Sequence, residues 1–173
     1  MKSILRIAVG SLVSLALVIG VVLLGARFAD GPVAIIAGGP FTSGDLVTGP
    51  EPDWTLMRNV QEVEFQLIDP ARSRTTWILE HDGKIYIPSG YMTTTWGKLW
   101  KQWPIEALED GRAILRVDDK LYERELVRVE EGPLLAPLTA EIKRKYLSDA
   151  DIGPDAVTSG YLWLFELAPR SGG

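Results

Sequence analysis

Residues 62–88 read EVEFQLIDPARSRTTWILEHDGKIYIP, and the fold class is decided within them. Val63, Phe65 and Leu67 alternate with Glu62, Glu64 and Gln66, the period-2 pattern of a strand with one buried face. Asp69-Pro70 ends that run. Thr75–Glu80 and Lys84–Pro88 are two further β-rich runs, joined by His81-Asp82-Gly83. An Asp-Gly pair tolerates the positive φ of a tight reverse turn, so these runs predict a hairpin. His81 falls at its tip and reads as a solvated side chain.

Downstream the same grammar continues. Arg112–Asp118 and Leu121–Glu130 predict a second strand pair around Asp119-Lys120, and Tyr161–Ala168 (YLWLFELA) predicts a last apolar strand. In KLYERELVRVE, Tyr122 and Leu126 share a face with Arg124 and Arg128, a mixture that suits a small barrel covered locally by helices. Two stretches predict helices. Thr94–Trp103 gathers Trp96, Leu99, Trp100 and Trp103 at spacings of three and four, and Pro104 begins a further turn reaching Glu109. Pro133–Leu147 carries Leu134, Leu135, Leu138, Ile142 and Tyr146 as a buried stripe, with Lys143, Arg144 and Lys145 in the last turn, where cations suit the helix dipole. The expected class is α+β: a small antiparallel split β-barrel with two or three accessory helices, preceded by an N-terminal transmembrane helix.

That helix is read from Ile7–Ala26, which holds no charged residue and only the hydroxyls of Ser11 and Ser14. At about 1.5 Å per residue it spans roughly the 30 Å hydrocarbon core. Its length and the Arg27-Phe28 pair that follows favour an uncleaved anchor over a signal peptide. Lys2 and Arg6 precede it, so the positive-inside rule places the N-terminus in the cytoplasm and the remaining chain outside, in the periplasm if the source is bacterial. The predicted organisation is an anchor over 1–27, a Gly/Pro-rich linker and arm over 28–53, and an extracytoplasmic domain over 54–173. Within the arm, Val33–Ala37 is apolar enough for a short strand or for the membrane interface.

Composition narrows the function. Residues 28–173 carry 15 bases against 23 acids, which argues against a nucleic-acid partner. The absence of cysteine removes disulfides, thiol catalysis and thiolate metal sites, and a single histidine leaves little for a zinc site or an imidazole triad. No metal is expected. The Trp96/Trp100/Trp103 stripe reads as core or as an edge facing membrane or partner, and Lys98 and Lys101 beside it suit anionic headgroups.

The chemically richest stretch is 71–98. One strand delivers Arg72, Arg74, Thr75 and Thr76; the loop after Ile87 delivers Ser89, Gly90, Tyr91, Thr93, Thr94, Thr95 and then Lys98. Clustered hydroxyls, a glycine and a base before a helix N-terminus suit a phosphate, and Trp77, Tyr91 and Trp96 would flank a flat ring. The same residues also describe a Ser/Thr-rich loop in which Thr93 or Thr94 caps a helix.

The order of these parts resembles the split β-barrel superfamily of pyridoxamine-phosphate-oxidase-like proteins, closest to its flavin- and deazaflavin-binding nitroreductase-like branch. The resemblance covers roughly Trp54–Tyr146. It rests on a Thr-Trp strand around His81-Asp82-Gly83-Lys84, then IYIPS, a Lys-bearing helix, a DGRAILRV strand and a KLYERELVRV strand leading to a helix. It implies a cofactor phosphate held by Arg74, Thr75, Thr76 and Ser89, and more loosely by Thr94, Thr95 and Lys98, with FMN or a deazaflavin as cofactor, oxidoreductase chemistry and a homodimer. The segment Trp96-Gly-Lys-Leu-Trp-Lys-Gln-Trp-Pro is bulkier than such families usually carry. The alternative is a non-enzymatic, membrane-tethered binding or scaffold module on the same barrel.

Overall fold

The computed structural model describes residues 2–95, 97 and 101–170. It begins with α1 (Lys2–Ala26), whose large apolar side chains stand exposed along its length. Ile4–Ala26 has a mean hydropathy of 2.8 and is long and apolar enough to cross a membrane.

The strands are β1 (Asp45–Leu46), β2 (Glu62–Leu67), β3 (Arg72–Trp77), β4 (Leu79–His81), β5 (Lys84–Ser89), β6 (Arg112–Val117), β7 (Lys120–Val129) and β8 (Trp163–Pro169). They form one sheet in the order β3-β2-β6-β7-β8-β5-β4, antiparallel throughout except for β1, which lies parallel beside the start of β7. A 3-10 turn (Trp54–Arg58), α2 (Trp103–Glu109), α3 (Leu135–Lys145) and α4 (Pro154–Thr158) complete the described elements.

β3 and β4 stand at opposite ends of the sheet order, yet only Ile78 separates them in the chain. The sheet therefore curls until its first and last strands share a covalent corner, which makes it the expected α+β half-barrel. Inside the curl, Phe65, Leu67, Ile85, Ile87, Leu115 and Phe165 are fully buried, with Trp103 laid edge-on against Phe65. On the outer face, Leu135, Leu138 and Ile142 of α3 cover Leu79, Tyr86 and Leu164. Each such side chain withdrawn from water is worth about 2 kcal/mol.

The corner removes Ile78 from the ladders, and its backbone needs other partners. α3 supplies them. Lys145 Nζ donates to the carbonyls of Met57, Val60 and Ile78 at 3.0, 2.6 and 2.6 Å. The Tyr146 hydroxyl accepts from the Ile78 N–H at 3.1 Å and lies 2.7 Å from the carbonyl oxygens of Ile78 and Gln61.

Several local expectations shift. Thr75–Glu80 does not pair as one run with Lys84–Pro88: only Leu79–His81 pairs with Lys84–Tyr86, and Arg72–Trp77 pairs with β2. Burial of Ile78 at the corner is the reason. The Asp82-Gly83 turn takes φ +50 and +75 as its chemistry demands. The β6–β7 turn sits on Asp118 and Asp119 (φ +49 and +58), one residue earlier than expected, because Asp tolerates the left-handed region better than Lys. Of the helix expected over 94–103, Thr95 and Gly97 are helical and Lys101 and Gln102 are not; Trp96, Lys98, Leu99 and Trp100 lie outside the described residues. The expected turn after Pro104 is α2, which starts at Trp103 with the proline in its first turn.

The arm packs on the sheet. The Gly38 N–H donates to the Ser73 carbonyl at 3.0 Å, Arg72 Nη2 to the Ala37 carbonyl at 2.8 Å, and Ser73 Oγ to the Gly39 carbonyl at 2.6 Å. Asp30 accepts from the Thr42 N–H at 2.7 Å and from the Ser43 hydroxyl, and pairs with Arg116 at 3.1 Å. These contacts, the Ser43 hydroxyl foremost, hold the Asp30 carboxyl down at about 2. Arg116 also pairs with Glu64 at 2.6 Å and lies 4.1 Å from the Phe41 ring centroid. Arg116→Ala is expected to cost about 2 kcal/mol by breaking these charge-assisted bonds, measured by thermal melts at neutral pH. The Asp30 contribution is complete above its ordinary value of 3.8 and is lost as the pH falls towards 2.

Candidate functional site

β5 pairs with β4 only through Tyr86, so Ile87–Ser89 run on with no partner on that side, facing the outer edge of β3. Pro88 has no N–H to offer a ladder in any case. The gap between these two edges is a cleft of about 950 Å³. Thr75, Thr76 and Trp77 line one lip; Pro88, Ser89, Gly90 and Tyr91 line the other. Ile142 of α3, Leu147, Ala150, Ile152, Ala156, Tyr161 and Leu162 give the cleft its apolar surface, Glu62 and Asp151 add two carboxylates, and Trp103, Lys101 and the arm residues Ala34 and Ile35 complete the lining.

Trp77 lies flat on Tyr146, ring centroids 4.3 Å apart and planes 1° off parallel, which presents a planar aromatic wall. Burial pushes the Tyr146 phenol up to about 12, so it stays a neutral hydrogen-bonding group at ordinary pH. Across the cleft, Tyr91 is held at φ +66, a strained setting for an aromatic residue, and is 59% exposed. Its ring meets Tyr161 edge-on at 5.3 Å. Lys101 Nζ sits 5.7 Å from the Tyr91 ring centroid, and its hydrogen bond, to the Gly90 carbonyl, is long at 3.4 Å. Burial lowers its pKa, and among the described residues no carboxylate forms an ion pair with it.

Of the residues singled out from sequence, Thr75, Thr76, Trp77, Ser89 and Tyr91 meet at this cleft. Ser89 is buried, its hydroxyl donating to Met92 Sδ at 3.4 Å. Arg74 is not among the lining residues: it pairs with Glu106 of α2 at 3.2 Å and donates to the Arg72 carbonyl. Thr94 acts as a cap, its Oγ1 donating to the Tyr91 carbonyl at 2.8 Å and accepting from the Gly97 N–H at 2.9 Å. Thr95 is exposed and outside the cleft. Lys98 lies outside the described residues. Sequence reasoning assigned Lys101 to headgroups and Tyr146 to a core stripe. The signal available for Lys101 was its place just before Trp103-Pro104; nothing in the sequence pairs Tyr146 with Trp77, 69 positions apart.

Fold and cleft together define a curled antiparallel half-barrel with a side-opening cleft between the β3 and β5 edges. No family model matches the chain, and no curated protein does. Among solved structures, the chain is similar to a conserved hypothetical protein, Rv2991, from Mycobacterium tuberculosis. The two share 15% identity over 73% of this chain and 84% of that one, with a TM-score of 0.48.

Proposed function

We propose that α1 is an uncleaved, N-in membrane anchor, that residues 28–173 are extracytoplasmic, and that the cleft binds a flavin-type cofactor, FMN or a deazaflavin. In this reading the chain is a split-barrel oxidoreductase that pairs as a homodimer. The observation that carries it is convergence: five residues chosen for this role from sequence border one concavity, together with Lys101. Trp77, backed by Tyr146, and Tyr91 offer faces to a flat ring. One threonine hydroxyl of the Thr75–Thr76 lip and the Lys101 ammonium offer donors to a phosphate, Ser89 being buried with its hydroxyl on Met92. A bound flavin would supply the electron or hydride chemistry, and these side chains would bind and orient it.

Titration of the full-length protein with FMN and with a deazaflavin phosphate is the test. Saturable quenching of cofactor fluorescence is expected, as the ring stacks beside Trp77. Absence of saturable binding by either overturns the cofactor reading. A non-enzymatic binding module is the second reading. It is favoured by the pairing of Arg74 with Glu106, which leaves Lys101 as the cleft's cation among the described residues, and by the cleft's apolar surface.

A further inference from the structure

From Gly31 to Gly44 the chain carries no charged residue, and the first part of this stretch is a tight hairpin. The Val33 N–H donates to the Ile36 carbonyl at 3.0 Å, the Ile36 N–H returns to Val33 at 2.9 Å, and Ala34 makes the turn at φ +53. Ile35 at the tip is 85% exposed, Phe28 at the end of α1 is 82% exposed, and Val33 is 42% exposed. Single exposed hydrophobes are ordinary, but these three are clustered in eight residues directly after an apolar helix.

The cluster is also fixed in place. The Gly39 N–H donates to the Ala29 carbonyl at 3.1 Å, Asp30 is tied to Arg116, and Ala37 and Gly38 are bonded to β3. The hairpin therefore cannot fold away, and it stays within a few residues of the helix exit. Arg27, exposed between α1 and Phe28, would stand at the depth of lipid phosphates with α1 in a bilayer, and the acid within the cluster, Asp30, is paired with Arg116.

We propose that Phe28, Val33 and Ile35 form a foot that enters the outer boundary of a phospholipid bilayer beside α1. Apolar side chains with a flanking base are the composition that such interfacial contacts use. Because Ala34 and Ile35 also belong to the cleft wall, the foot seats the cleft against the headgroup layer. The inference rests on the anchor reading above and is independent of what the cleft binds.

The chain has no cysteine, so Ile35→Cys creates a single attachment site for a polarity-sensitive nitrobenzoxadiazole dye. The full-length variant is reconstituted into vesicles of phosphatidylcholine and phosphatidylglycerol. The expected result is blue-shifted emission, quenched by phospholipid spin-labelled near the headgroup and not by aqueous iodide. The same dye at Leu56→Cys, on the exposed 3-10 turn, should show the opposite pattern. A water-like, iodide-quenched signal at position 35 in a protein that resists alkaline extraction overturns the foot and leaves the anchor standing. Release of the protein by alkaline extraction overturns both. A blue shift insensitive to spin-labelled lipid means burial against protein, such as a second copy, and overturns the foot.

Discussion

Lys145→Met should lower the free energy of unfolding by about 3 kcal/mol, seen as a shift of the denaturant midpoint at unchanged slope. Methionine keeps the aliphatic stem that packs beside the corner, so the loss isolates the ammonium. Three carbonyls, those of Met57, Val60 and Ile78, then lose a donor together; Ile78 keeps Tyr146 and Met57 keeps the Val60 N–H at 3.3 Å. The pH dependence carries a second signature. Burial lowers the Lys145 pKa below its ordinary 10.5, so the unfolded chain binds this proton more tightly than the folded one. Its contribution to stability accordingly rises as the pH climbs from the lowered value towards 10.5, and the methionine variant lacks that part of the slope.

Lys101→Met should weaken binding of a phosphate-bearing ligand by roughly ten- to a hundredfold, the range for losing one charge-assisted bond. Stability should change little, since the lysine's polar contact is a single long one to Gly90. Comparing FMN with riboflavin separates the effects: the phosphate-free ligand should bind both forms alike. In the wild type, affinity for the anion is full while Lys101 is protonated. It falls as the pH rises through a value lowered by burial, before an ordinary lysine at 10.5 would respond. The variant should be flat over that range. An equal loss for both ligands would place Lys101 in packing instead of anion binding.

Much of the fold was legible because each decisive cue was local. The alternation of 62–67, the Asp82-Gly83 turn and the Leu138/Ile142 stripe each depend on neighbours within a few residues, and they sit where the pattern places them except for Gln66. That residue is buried on the face expected to be polar, because the arm covers it and the Phe41 N–H donates to it. What the sequence could not disclose is non-local. Nothing around Ile78 announces that the chain leaves one end of the sheet and enters the other, since Thr75–Glu80 is an unbroken β-rich run. The partners that make the corner tolerable are the last residue of α3 and its C-cap, 67 and 68 positions away. The same limit governed the site. Thr75, Thr76 and Ser89 were visible as a hydroxyl-rich group, but whether Arg74 served it depended on Glu106, on a helix placed by tertiary packing. Thr94 was ambiguous by nature: one hydroxyl suits a ligand or a helix cap, and the Gly97 N–H claimed it.

The two lips of the cleft share no strand pairing: β3 turns at Ile78 into β4, and β4 pairs with the start of β5, so the chain joins the lips at one end through a hairpin. That end is clamped, because Ile78 is fully buried and its backbone is held by Lys145 and Tyr146. Such a pocket is a slot whose gauge is fixed at the corner. Guests thicker than that gauge should be excluded, and among those that enter, selectivity would come from how far each reaches towards Lys101 and what charge it brings there.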